Sequence, residues 1–340
     1  MHKSFTARAE APVQVWLYTS KAFKALKADP FPNARAMAEA QDFTGGAGQM
    51  VLAHGDDGAL ANVLFGLGKG EDALAVAALS AKLPPGAYKV AEEGGLSPAS
   101  IAAGWADGAY RFDRYLKDKA KPPRLVIPGG KAGEALSREA DAVAFLRDLV
   151  NTPAGDLNPA GLQAAVSELA ERFGASLNVT IGDALLKENY PMVHAVGRAA
   201  KGEPRIMELE WGDKKNPSLA LVGKGVTFDS GGLDIKPSSG MRIMKKDMGG
   251  AAHVLGLAQL VMASNLPVHL KVYVPAVENA IAGDSFRPGD ILSSRKGLTV
   301  EIDNTDAEGR LILADALARA CEFEPDLLLD FATLTGAARV

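Results

Sequence analysis

The second half of the chain alternates short apolar runs with stretches of helix length, and this constrains the fold more than any other feature. PRIMELEW (204–211), SLALVG (218–223), HLKVYVPAV (269–277), LTVEID (298–303) and DLLLDFAT (326–333) are rich in aliphatic, β-branched and aromatic residues and read as strands. Helical patterns at 160–173, 183–199, 249–264 and 309–323 lie among them. Strands alternating with helices predict an α/β domain on a central mixed, largely parallel sheet. In the first half, VQVWLYT, MVLAH and NVLFGLG read as strands, and DALAVAALSAKL and ASIAAGWADGAYRFDRYL as helices. The charged, Pro- and Gly-bearing stretch KDKAKPPRLVIPGG then punctuates the chain, followed by a helix, EALSREADAVAFLRDLVN, stopped at Thr152 and Pro153. The expected organisation is a smaller N-terminal α/β domain over 1–130, a linking helix over 131–150, and a second α/β domain over 151–340.

Composition excludes several classes. With 41 acidic against 37 basic residues the net charge is −4, which gives no bulk attraction to nucleic acid; Lys117, Lys119 and Lys121 are an example of a local basic patch. The single cysteine, Cys321, cannot build a disulfide framework within the chain, and its apolar helical setting reads as core. The N-terminal stretch has no apolar signal core, and no apolar run is long enough to span a bilayer. These features lead us to expect a cytoplasmic protein with no membrane association.

In open α/β sheets, ligands bind beyond the carboxyl ends of the strands. Three unusual segments fall there: GKGVTFDSGG after SLALV, NTDAEGR after LTVEID, and TLTG after DLLLDFA. In NTDAEGRL (304–311), Thr305 and Glu308 have the spacing of a capping box at the start of a helix. A cap does not account for Asp306 and Arg310. The segment 224–250 adds Lys224, Asp229, Lys236 and Asp247, with apolar or small residues on both flanks, and it contains no Walker loop. Asp229, Asp247, Asp306 and Glu308 gathered at one sheet edge would repel one another unless cations held them. Two divalent ions bridged by carboxylates resolve that repulsion, and oxygen-rich sites suit Mn2+, Mg2+ or Zn2+. None of the five histidines has the spacing of a zinc protease motif, and His253 reads as helix packing.

Taken together and in this order, LVNTPA, VGKGVTFDSGGLDIKP, MKKDMGGAA, NTDAEGRL and ATLTGAARV resemble the leucyl aminopeptidase family, the M17 metallopeptidases or cytosol aminopeptidases. The likeness covers roughly residues 145 to 340. It implies a metal-dependent exopeptidase that removes the N-terminal residue, leucine-like or otherwise apolar, from peptides through a metal-bridging hydroxide, with one metal taking the free α-amino group. It implies that Asp229 and Glu308 bridge two metals, that Lys224 and Asp247 complete the tighter site, and that Asp306 completes the exchangeable one. A lysine ligand must be neutral, and its pKa is expected to be lowered. Lys236 and Arg310 are implied as the catalytic pair, Lys236 polarising the carbonyl and Arg310 holding a bicarbonate. Met244, Asn304, Ala307, Thr333, Leu334 and Gly336 match positions bordering the substrate pocket. Mn2+ or Zn2+ is expected, with Mg2+ an alternative at the exchangeable site, and the family implies a homo-hexamer. Members of the family continue past ATLTGAARV, so the catalytic domain is expected to be incomplete at its C-terminal end. The competing readings are an inactive member of the same fold and one that binds DNA or another partner.

Overall fold

The computed structural model describes residues 1–119 and 121–336. The chain divides into two compact units, Met1–Ala144 and Phe145–Val340, and the helix Gly130–Asn151 runs through the division.

The first unit is built on strands β1 (Phe5–Thr6), β2 (Val13–Tyr18), β3 (Met50–His54), β4 (Leu60–Gly66), β5 (Gly86–Glu92) and β6 (Pro123–Val126). They lie in the order β1-β6-β5-β2-β4-β3, parallel throughout except for the antiparallel β3–β4 pair. Val15, Leu17, Val63, Phe65, Leu79, Tyr88 and Trp105 are buried together in its core. The Trp105 indole N–H finds the Pro123 carbonyl at 3.1 Å, so that burial leaves no donor unmet. The expected helix over 99–116 is shorter, Pro98–Ala109. Tyr110 turns extended, and the Arg111 guanidinium donates to the Gly108, Tyr110 and Ala81 carbonyls, taking acceptors that a continuing helix would use. The helix expected over 72–83 is also shorter, Val76–Ser80. Strands β5 and β6 escape a pattern reading because Lys, Glu, Gly and Pro dilute them.

The second unit carries β7 (Ser176–Ile181), β8 (Arg205–Trp211), β9 (Ser218–Gly223), β10 (Gly225–Asp229), β11 (His269–Asn279), β12 (Ile291–Ser293), β13 (Thr299–Glu301) and β14 (Leu327–Phe331). Its central sheet runs β14-β9-β11-β8-β7, with β10 also paired to β11. The β14–β9, β9–β11 and β10–β11 pairs are parallel; β11–β8 and β8–β7 are antiparallel. This is the mixed, largely parallel architecture the alternation implied. One strand, β11, organises the site side of the sheet. Its first half pairs with β9 and its second half with β10, and Lys224 is the residue left between those two strands.

The helix Gly249–Ala263 covers the sheet at that point, with Val254, Leu255 and Met262 buried among Leu221, Val272 and Val274. Each fully buried aliphatic side chain contributes on the order of 1.5–3 kcal/mol. Its first turn is Gly-Gly-Ala-Ala for a steric reason: a Cβ on Gly250 would stand 2.1 Å from the Phe331 carbonyl oxygen.

The structure corrects four local expectations. GVTFD, grouped above with the segment beyond SLALV, is itself a buried strand of the sheet. LTVEID contributes only β13, which pairs with β12 in a two-stranded hairpin outside the central sheet, because its alternating exposed positions suit a surface ribbon. The helix expected over 183–199 breaks into Ala184–Lys187 and Pro191–Gly197, with Asn189 left-handed at φ 59° just before Pro191. Cys321 is exposed, not core, at the end of the helix Glu308–Cys321. Among the described residues no helix is long and apolar enough to cross a membrane. The final residues of ATLTGAARV, 337–340, lie outside the described residues.

Candidate metal centre

Lys224 stands at the interruption between β9 and β10. Its N–H donates to the Phe331 carbonyl and its own carbonyl accepts from Ala251 N–H, so its backbone is fixed by both neighbours. Its side chain is 3% exposed, and its Nζ lies 2.7 Å from Asp247 Oδ2 and 2.9 Å from Glu308 Oε1. Asp229 ends β10 in register with Asn279 at the end of β11. Asp247 sits in the 3-10 turn Met244–Met248, immediately before one helix, and Glu308 is the first residue of another. The positive ends of both helices therefore face carboxylates, an effect of about 0.3–1 kcal/mol each.

Asp229, Asp306 and Glu308 each bring one carboxylate oxygen within 4.8 Å of the others. Asp229 Oδ1 accepts from Gly231 N–H and Asn279 Nδ2, both at 2.9 Å. Its Oδ2 lies 2.8 Å from Lys236 Nζ, which also contacts Asp306 Oδ1. Thr333 Oγ1 donates to Asp247, with Oδ1 at 2.7 Å. The structure thus brings Lys224, Asp229, Lys236, Asp247, Asp306 and Glu308 together, with Thr333 against Asp247.

The other candidates are placed differently. Met244 and Ala307 are half-buried; Leu334 and Gly336 are exposed. Arg310 is exposed, and its guanidinium makes no hydrogen bond or ion pair among the described residues. His253 is exposed on its helix, with its Nδ1 2.7 Å from the Gly249 carbonyl and its ring stacked on Phe331.

The capping box does not form. Thr305 points inward, its Oγ1 donating to the Gly231 carbonyl at 2.7 Å and accepting from Asp234 N–H at 2.9 Å. The cap is Asn304, whose side chain accepts from Asp306 N–H at 2.7 Å. A 3-10 turn, Thr305–Ala307, precedes the helix and shifts its start beyond the reach of Thr305.

Two supporting residues were not anticipated. Asn279 bridges Asp229 and the Thr305 carbonyl, tying β10 to the 304–308 segment. Asp234 accepts from Thr305 N–H at 2.7 Å. A polar residue closing the apolar run HLKVYVPAVE was the available signal for Asn279.

The electrostatics identify what is missing from the charge balance. Burial pushes the Glu308 carboxyl up to about 7, and although Lys224 opposes this, nearby Asp229 and Asp247 reinforce it. Burial and the Asp229 charge likewise raise Asp306, against the pull of Lys236. The lowered pKa expected for Lys224 belongs to a metal-bound site; with carboxylates alone around it the balance differs. Burial alone would lower its pKa, but Glu308 and Asp247 outweigh burial and raise it, so it is held as an ammonium. It must release a proton before its nitrogen can act as a ligand.

Lys224 is ion-paired with Asp247 Oδ2 and Glu308 Oε1, and neither oxygen has a further partner among the described residues. Glu308 Oε2 is buried with no hydrogen-bond partner. Buried carboxylate oxygens without donors fit divalent cations well, since the ion supplies the missing charge without needing a proton.

The fold and this cluster define a class: an α/β domain with a buried lysine–carboxylate centre suited to divalent metals at the carboxyl ends of parallel strands. The cytosol aminopeptidase family, catalytic domain, matches residues 144–340, and the M17 aminopeptidase N-terminal domain matches residues 13–128. This chain belongs to the M17 cytosol aminopeptidase family.

A probable cytosol aminopeptidase of Rhodococcus opacus is 43% identical over 262 residues, covering 72% of this chain and 52% of that protein. The chain therefore spans about half the length of the curated relatives it matches. The crystal structure of the Coxiella burnetii cytosol aminopeptidase superposes with a TM-score of 0.89 at 39% identity, covering 98% of this chain and 73% of that one. The bottromycin maturation enzyme BotP in complex with Mn superposes at 0.83 with 32% identity, covering 97% and 74%.

Proposed function

We propose that this chain carries the active centre of a two-metal aminopeptidase that releases the N-terminal residue, leucine-like or otherwise apolar, from peptides. The observation that carries this reading is the cluster of Asp229, Asp306 and Glu308 oxygens, with Asp247 beside it and Glu308 Oε2 buried without a partner. Membership of the cytosol aminopeptidase family supports it. Asp229 and Glu308 would be shared between two ions, Lys224 and Asp247 would hold the tighter one, and Asp306 the exchangeable one. Mn2+ or Zn2+, with Mg2+ an alternative at the exchangeable position, would supply a water that ionises near neutral pH and Lewis acidity toward the carbonyl. Lys236 then offers its ammonium to the oxyanion that develops on the scissile carbonyl. Arg310, exposed at the first turn of its helix and with no ion pair among the described residues, would hold a bicarbonate. Met244, Asn304, Ala307, Thr333, Leu334 and Gly336 border the side-chain pocket. We further propose peptide substrates, a homo-hexameric assembly and a cytoplasmic setting.

The test is metal content measured together with leucyl-p-nitroanilide hydrolysis on the 340-residue chain, with Mn2+ or Zn2+ added. Two ions per chain and chelator-sensitive release of the amine support the reading. A folded chain with neither sinks it.

A further inference from the structure

The two lysines of the centre are held in different ways. Lys224 is 3% exposed and enclosed between Asp247, Glu308 and the backbone of Gly309. Lys236 lies on the segment between β10 and the 3-10 turn, tethered there by its N–H to the Ser230 carbonyl at 2.9 Å. Its side chain is 13% exposed and borders solvent. Asp229 Oδ1 is saturated by Gly231 and Asn279. Oδ2 is the Asp229 oxygen left open to cations, and Lys236 occupies one side of it at 2.8 Å while also engaging Asp306.

We propose that Lys236 is an internal competitor for the exchangeable ion. Its ammonium uses the same Asp229 and Asp306 oxygens that the ion would need, so it must swing out before the ion can bind. Ion binding then releases this lysine toward the substrate, which makes metal loading and the arming of Lys236 one event. This rests on the two-ion reading of the site. The physical ground is simple. An ammonium and a divalent ion held on the same Asp229 and Asp306 oxygens repel one another at short range, and a lysine at the solvent edge moves without unpacking the core, whereas Lys224 cannot.

The experiment is a Mn2+ titration of the unmodified chain and of Lys236→Met, followed by electron paramagnetic resonance of the free ion. Removing the competitor is expected to tighten the weaker of two sites at least tenfold; Lys236→Arg, which keeps the charge, is expected not to. Unchanged or weaker binding in Lys236→Met, with two ions still bound, overturns the competition and leaves the two-ion reading intact. Binding of Mn2+ to neither chain overturns both. To keep the test independent of how Lys236→Met folds, the unmodified chain is also acetylated with and without Mn2+ and Lys236 is followed by peptide mass spectrometry. Faster acetylation with Mn2+ supports the displacement; equal or slower acetylation overturns it.

Discussion

Gly309 leaves the space that Lys224 fills: a Cβ on residue 309 would stand 2.5 Å from Lys224 Cε and 2.7 Å from its Nζ. The glycine in NTDAEGRL is therefore a steric partner of a residue far away in sequence. Gly309→Ala is expected to push the ammonium away from Asp247 and Glu308. Overpacking of this kind costs about 1–3 kcal/mol. Thermal melts should show a drop of a few degrees, and calorimetric Mn2+ titration about tenfold weaker binding at the tighter site. Unaltered metal affinity would mean that Lys224 does not need this position.

The proposed ligands and the proposed catalytic lysine separate by metal content. Asp306→Ala and Glu308→Ala should each lower the number of bound ions as well as turnover. Lys236→Ala should retain both ions and lose turnover, by on the order of a hundredfold or more if the oxyanion contact is its role. Elemental analysis of the dialysed variants is the measurement. Equal metal content in all three contradicts the assignment.

The pH dependence of stability follows from Glu308, whose carboxyl is raised from 4.5 to about 7 by burial and by neighbouring carboxylates. The folded chain keeps a proton that the unfolded chain releases. The stability linked to this group is complete below pH 4.5 and is lost as pH rises through about 7. With a chelator present, the melting temperature should fall between pH 5 and pH 8, a loss on the order of 1–3 kcal/mol. Mn2+ should restore more stability at pH 8 than at pH 5, and Glu308→Gln should flatten the profile. A chelated chain that grows more stable across this range would refute the account.

Asp315 supports the fold without touching the centre. It is fully buried, and one oxygen accepts from Met192 N–H at 2.8 Å and Val193 N–H at 3.4 Å, while the other accepts from Arg295 N–H at 2.8 Å. Asp315→Ala strands three backbone donors and should cost on the order of 3–5 kcal/mol in urea unfolding. Asp315→Asn, which keeps one acceptor, should cost less. Bound metal should be unchanged in whichever variant remains folded.

The α/β class was legible because β9 and β11 are largely buried and read as apolar runs, and β14 carries an apolar run too although Leu327 and Leu329 are exposed. β10 was not legible: GVTFD is short and sits among glycines, lysines and aspartates that look like loop. The capping box at Thr305 and Glu308 was read from local spacing, but the Thr305 hydroxyl is claimed by Gly231 and Asp234, partners more than seventy residues away in sequence. Asn279 carried no motif of its own; its role comes from being the β11 partner of Asp229.

The sequence by itself determined that a set of lysines and carboxylates would follow apolar strands, because strand alternation and charge at strand ends are local properties. Only the tertiary structure decided how they pair: Lys224 with Asp247 and Glu308, Lys236 with Asp229 and Asp306, and Gly309 making room for the first lysine. It also decided that carboxylate charge outweighs burial at Lys224 and raises its pKa, since the two act in opposite directions and their balance depends on distances that only folding sets.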